Sequence, residues 1–143
     1  MHDYFSILSV MTPFPYSIGP EAHIQEARAL MRQYKIRHLP VSQGGEVIGL
    51  VSDHDIKLML GPEFGYPKES ELKVDDVYVD EPYVVDISTP LLDVLNTLVA
   101  RHIGSAVVTK HNKLAGIVTA RDVCAALASF LESKKPPSPD EVA

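Results

Sequence analysis

The chain has 143 residues, 45% of them hydrophobic and 22% charged, with 19 acidic against 13 basic side chains, one cysteine and a formal net charge of −6. A chain of this size buries about two-thirds of its unfolded surface, enough for one compact domain; the negative balance excludes a sequence-independent grip on nucleic acid, and the lone Cys124 excludes an internal disulfide or a multi-cysteine zinc site. No apolar run reaches membrane-spanning length, and no basic stretch leads into a long apolar block at the start, so the expectation is a cytoplasmic protein that does not enter a membrane.

The first element is the short apolar stretch Tyr16-Ser17-Ile18, behind a proline. Ile24, Ala27, Leu30, Met31 and Tyr34 then recur at helical spacing. Strands are predicted at Leu39–Ser42 and Val47–Ser52, joined by a Gly44-Gly45 turn, with a helix starting near Asp53. Residues 61–76, with Gly61, Pro62, Gly65 and Pro67, read as a linker. The second apolar stretch is Tyr83-Val84-Val85. Thr89 as N-cap and Pro90 in the first turn begin a helix carrying Leu91, Val94, Leu95 and Leu98. Strands follow at Ala106–Thr109 and Leu114–Thr119, with a His111-Asn112 turn between them. The last helix starts near Arg121 and runs to about Ser133, with Val123, Ala126, Leu127 and Phe130 on one face. Cys124, inside it, reads as a small buried hydrophobe. Residues 134–143 are polar and proline-rich and read as a disordered tail.

The two halves are copies. A shift of 67 residues places Val10 on Val77, Pro15 on Pro82, Ile36 on Ile103, Val41 on Val108, Gly49 on Gly116 and Asp55 on Asp122, without a gap. Each unit, about 10–60 and 77–127, reads β-α-β-β-α and is too small to bury its own apolar face. Two units packed through their sheets can do so. The expected architecture is therefore a mixed α/β protein of two repeats: 1–76 as the first repeat with its N-terminal segment and linker, 77–133 as the second, and 134–143 as the tail.

With the repeat established, four stretches resemble the CBS domain family, named after cystathionine β-synthase. They are Val10-Met11-Thr12-Pro13, Ile36-Arg37-His38-Leu39-Pro40-Val41, Gly49-Leu50-Val51-Ser52-Asp53-His54-Asp55 and Gly116-Ile117-Val118-Thr119-Ala120-Arg121-Asp122. The last two match the family pattern of Gly, two apolar residues, Ser or Thr, any two residues and Asp. The resemblance implies two repeats packed about a pseudo-twofold axis, a Bateman module with two clefts. It also implies an adenosine-containing ligand (AMP, ADP, ATP or S-adenosylmethionine), regulation of a separate protein in trans, and no catalysis. No catalytic cofactor is expected, although Mg²⁺ can arrive with a nucleotide. Dimerisation is implied too, and the apolar Ile56, Met59, Leu60, Val123, Ala126, Leu127 and Phe130 are its expected surface.

The resemblance also distributes the site residues. The main cleft should use Thr12, Ser17, Ile18, His38, Leu39, Pro40, Thr119, Arg121 and Asp122. Asp122 would accept hydrogen bonds from the ribose hydroxyls, and Thr119 would donate to a phosphate at a helix start. The second, weaker cleft should use Ser52, Asp55, Val85, Gly104, Ser105 and Ala106. It has Val79 where the first has Thr12, and Glu81 near its rim. Arg37 and Arg101 are candidate phosphate contacts. On the residues alone, Thr119 reads equally as an N-cap, Asp122 as a dipole-compensating acid, and the arginines as a solvated patch.

Other classes fit less well. Asp53-His54-Asp55 points in divergent directions and has no matching His or Cys cluster, so no metal is expected. A ribose-binding carboxylate without an acid–base pair or activated nucleophile does not make an enzyme. The alternative that stays open is a structural interaction module with degenerate clefts.

Overall fold

The computed structural model describes residues 5–13, 16–60 and 71–135. The elements follow in the order α1 (Ile7–Val10), β1 (Thr12–Pro13), α2 (Ile24–Tyr34), β2 (His38–Gln43), β3 (Glu46–Ser52) and α3 (Asp53–Leu60). A 3-10 turn at Val74–Asp76 leads into β4 (Val79–Asp80), β5 (Val84–Asp86), α4 (Leu91–Arg101), β6 (Ser105–Lys110), β7 (Lys113–Thr119) and α5 (Ala120–Ser133).

Local chemistry repeats with the 67-residue offset. Both hairpin turns are left-handed, with φ of 61° and 85° at Gly44 and Gly45 and 53° and 62° at His111 and Asn112. That backbone lets a two-residue turn follow the twist of its strands. Helices α2 and α4 both end on a left-handed residue, Lys35 and His102. The next amide, of Ile36 or Ile103, donates back to Met31 or Leu98 at 2.9 and 3.1 Å. This closure satisfies a terminal carbonyl and turns the chain abruptly out of the helix.

The sheets exchange strands between the repeats. One sheet has the order β1-β7-β6-β5 and the other β2-β3-β4. Thus β1, from the start of repeat one, pairs with β7 of repeat two, Thr12 opposite Ile117 and Pro13 opposite Gly116. Strand β4, from the start of repeat two, pairs with β3 of repeat one, Val79 opposite Leu50 and Asp80 opposite Gly49. The cores exchange as well. Ile7 and Val10 of α1 pack with Val85, Val94 and Val118 of repeat two. Val74 and Val77 pack with Ile24, Leu39 and Val51 of repeat one. Ile7 and Val74 are at most 1% exposed, so each is worth about 1.5–3 kcal/mol of burial to the other repeat's core. Neither half could fold alone without exposing that surface.

Four expectations are corrected here. The linker 61–76 does not run to 76: Val74 is fully buried, and its amide donates to Ala22 at 2.8 Å. Its first ten residues, 61–70, lie outside the described residues, as do 136–143 of the tail. Pro90, not Thr89, occupies the cap position of α4; the Thr89 amide closes a turn onto the Asp86 carbonyl at 2.9 Å. Cys124 is exposed, because it sits about 100° round the helix from Val123, off the stripe that faces the sheet. Ile56 and Leu60 belong to the core of repeat one and are not surface residues. The apolar residues left exposed on α3 and α5 are Leu58, Met59, Leu127 and Leu131.

Candidate functional site

The strand exchange carries Thr12 across to the start of α5. There the Thr12 hydroxyl donates to Asp122 Oδ1 at 2.8 Å. The Thr119 amide and hydroxyl donate to Asp122 Oδ2 at 2.8 and 2.9 Å. The Thr119 hydroxyl in turn caps α5 by accepting from the Asp122 amide at 3.2 Å. The capping reading of this pair is therefore correct, and the Thr119 hydroxyl gives its one proton to Asp122 where donation to a phosphate was expected. The half-buried carboxylate is fixed by three donors from two repeats, one of them its own helix cap.

Asp122 stands at the edge of a cavity of about 590 Å³ lined by Thr12, Tyr34, Lys35, Ile36, Arg37, His38, Gly104, Ile117, Thr119, Ala120, Arg121 and Asp122. This volume lies within the range of small-molecule sites, about 300–1,000 Å³. The left-handed turn at Lys35 is what directs residues 35–38 to its wall. On the far side, Asp122 also borders a hollow of about 480 Å³ between α1 and α5, where Phe5 and Phe130 meet edge to face.

The second carboxylate is built on the same plan with fewer donors. The Ser52 hydroxyl donates to Asp55 Oδ2 at 2.8 Å and accepts from the Asp55 amide at 3.0 Å. At the position equivalent to Thr12 the exchanged strand offers Val79, which has no hydroxyl. Position 34 and its equivalent also diverge. Tyr34 stacks on Tyr16, ring centroids 3.9 Å apart, beside the Asp122 cavity, and a hydrogen bond to Tyr16 raises the Tyr34 phenol above its ordinary value. Arg101 instead lies over the Tyr83 ring, 5.4 Å from its centroid.

Thr12, Arg37, His38, Thr119, Arg121 and Asp122 are thus brought together as expected. Gly104, expected in the second cleft, borders the Asp122 cavity; its carbonyl accepts from the Ala120 amide at 3.0 Å. Ser17, Ile18, Leu39 and Pro40 do not line that cavity. Ser17 shares a hydrogen bond with Ser42 at 2.7 Å, and the other three are buried beneath the wall. β2 buries three successive residues, Leu39, Pro40 and Val41, so of the segment 38–40 only His38 reaches the cavity. In the other repeat Val85 and Ala106 are core residues, and Ser105 sits opposite Thr119 across β6 and β7. Arg101 is held by Tyr83. Sequence reasoning missed Tyr34, Lys35, Ile36, Ile117 and Ala120. The signal available was the 67-residue match of Lys35 to His102, which marks two equivalent helix ends.

His38 is within electrostatic reach of both carboxylates. Burial lowers its pKa from 6.5, Asp55 and Asp122 pull it upward, and nearby Arg37 adds to the lowering. A histidine with a depressed folded pKa takes up protons more readily when unfolded, so its stabilising contribution is present above about pH 6.5 and is lost as pH falls toward the folded value. His38→Gln is expected to flatten the fall in melting temperature between about pH 6.5 and 5, measured by circular dichroism. An unchanged slope would place the acid sensitivity elsewhere.

The sequence model of the CBS domain family matches residues 7–61 and again 74–129. The chain belongs to the CBS domain family. Both matches begin at the exchanged segments, Ile7 and Val74, three residues before the repeat boundaries expected from sequence. An inosine-5'-monophosphate dehydrogenase of Korarchaeum cryptofilum is 38% identical over 99 residues, 66% of this chain and 20% of the relative. This CBS pair spans about a fifth of the length of the dehydrogenases it matches. Among solved structures, CBSX2 in complex with AMP superposes with a TM-score of 0.70 at 26% identity, covering 92% of this chain and 99% of that one. The CBS domain of a bacterial CNNM/CorC family Mg²⁺ transporter in complex with ATP superposes at 0.71 with 23% identity, covering 86% and 87%. Of these two solved structures, one holds AMP and the other ATP.

Proposed function

We propose that this CBS pair is a regulatory, non-catalytic module that binds an adenosine-containing ligand in the Asp122 cleft and signals to a separate protein. The observation that carries the reading is the Asp122 carboxylate, held by Thr12 from the opposite repeat at the lip of a cavity that also presents Lys35, Arg37 and Arg121. Two carboxylate oxygens offer about four lone-pair sites, three of which the protein occupies. When a nucleotide enters, the Thr12 hydroxyl swings from Asp122 to a phosphate oxygen. That leaves two lone pairs of Oδ1 for the ribose hydroxyls. The site is thus preorganised by a bond it can exchange. The AMP- and ATP-bound relatives support this choice of ligand class.

AMP, ADP, ATP or S-adenosylmethionine is expected to raise the melting temperature, with about 2.7 kcal/mol of stabilisation at a hundredfold excess over Kd. Absence of any shift or binding heat at millimolar levels of all four would sink the reading.

Leu58, Met59, Leu127 and Leu131 are 42–67% exposed on α3 and α5. A twofold dimer through these helices would cover them. Light scattering at micromolar concentration is expected to give twice the chain mass, and Leu127→Glu to give the monomer. A wild-type monomer would contradict the dimer.

A further inference from the structure

None of the 14 side chains of α5 is fully buried, although the run from Val123 to Leu131 carries no charge. A helix with that much apolar surface belongs inside a larger core. Beside it opens the hollow of about 480 Å³, with Ala125, Ala126 and Ser129 along α5, Asp122 toward the start of the helix and the Phe5–Phe130 pair toward its end. The small side chains of α5 leave this space open. Under the 67-residue offset Ala125 and Ala126 fall on Leu58 and Met59, which are 67% and 42% exposed on α3. The two repeats thus carry, at equivalent places, a recess and two projecting apolar side chains.

We propose that two copies of this chain pair crosswise, α3 of each on α5 of the other, so that the partner's Leu58 and Met59 fill the hollow beside Ala125 and Ala126. The proposal rests on the dimer reading above and extends it to the arrangement of the copies. A twofold axis makes this contact twice, once for each hollow. Pairing α3 with α3 and α5 with α5 would set the large side chains against one another and leave both hollows unfilled, which forfeits the dispersion contacts of a packed interface. The small Ala125, Ala128 and Ser129 let a second helix come close to α5, since the side chains at a contact set the distance between helix axes. The crosswise contact also reaches the candidate site. Asp122 borders the hollow as well as its own cavity, so the partner's α3 would wall the carboxylate on the side away from that cavity.

Cysteine cross-linking of the full chain tests the arrangement, in a Cys124→Ser background that removes its one thiol. Leu58 and Ala125 are both exposed, so cysteine at either leaves the fold intact. The double variant Leu58→Cys/Ala125→Cys is expected to run as a disulfide-linked dimer on a non-reducing gel after mild oxidation. Each single variant is expected to remain unlinked, because its cysteines face no second cysteine across the contact. A non-covalent check moves the bulk from one helix to the other. Ala125→Leu fills the hollow from its own helix and is expected to weaken the dimer at least about tenfold, and Leu58→Ala in the same chain to restore most of that loss. A single cysteine variant that links to itself as well as the double variant does would overturn the crosswise arrangement while leaving the dimer. So would a double variant that stays unlinked while light scattering gives twice the chain mass, or a failed rescue by Leu58→Ala. A wild-type monomer by light scattering would overturn the arrangement and the dimer reading together.

Discussion

Asp122→Ala is expected to weaken nucleotide binding by one to several orders of magnitude, and Asp55→Ala to change it by less than about threefold. Hydrogen bonds to a charged group are worth about 1.5–3 kcal/mol each, and Asp122 would make two to ribose. Its cleft adds the Thr12 hydroxyl and the Lys35, Arg37 and Arg121 cations. The Asp55 half has Ser52 but only Val79 where Thr12 would be. Both carboxylates are half-buried and bonded to their helix caps, so each alanine variant should also lose about 0.5–2 kcal/mol of stability. Calorimetric titration well below the melting temperature separates the two effects. Thr12→Val gives the Asp122 cleft the chemistry of its counterpart and should recover most of the difference between them. Equal loss in both alanine variants would make the clefts equivalent, and a larger loss for Asp55→Ala would reverse their ranking.

The second large effect concerns the glycines that open the two motifs. A Cβ on Gly116 would lie 2.6 Å from the Thr12 carbonyl oxygen and 2.9 Å from the Met11 sulfur. One on Gly49 would lie 2.7 Å from the Val79 carbonyl oxygen and strike the Tyr78 ring. The glycine is required because the exchanged strand crosses directly over it; no positive φ is involved. Alanine at either position forces β1 or β4 away from its sheet, at about 1–3 kcal/mol. For a chain of this length that is a melting temperature lower by roughly 3–10 °C. The two variants should then part company. Gly116→Ala displaces Thr12 and should weaken nucleotide binding, whereas Gly49→Ala displaces Val79 and should leave affinity near wild type. Thermal melts with calorimetry on both variants check this. Unchanged melting in both would contradict the crossing, and equal affinity loss would contradict the link from Gly116 through Thr12 to Asp122.

Much of this arrangement was legible before any coordinates. The 67-residue offset, the two hairpin turns, the helix stripes and the Thr-x-x-Asp pair all report local structure, which short-range spacing encodes. The exchange of opening strands was not legible. β1 and β4 are two residues each, too short for an alternating pattern, and their partners lie more than a hundred and about thirty residues away. Ile7 was overlooked for the same reason: its burial depends on repeat two, not on its neighbours. The expectations of Gly104 in the Asp55 cleft and of backbone groups of 38–40 at the Asp122 cleft had a different source; Gly104 borders the Asp122 cavity, and Leu39 and Pro40 are buried. The family pattern tells which chain segments lie near a ligand, whereas the packing behind β2 decides which of their side chains are buried. Lys35 and Tyr34 were missed because a helix end looks like a boundary in sequence, yet here it forms a wall of the cavity.

The most direct measurement of the central claim is a crystal structure of the full chain grown with saturating AMP. The account predicts AMP in the Asp122 cleft, ribose hydroxyls about 2.5–3.0 Å from the carboxylate, and the Thr12 hydroxyl turned from Asp122 to the phosphate. AMP on Asp55 with the Asp122 cleft empty, or a Thr12–Asp122 bond unchanged beneath a bound nucleotide, would contradict it.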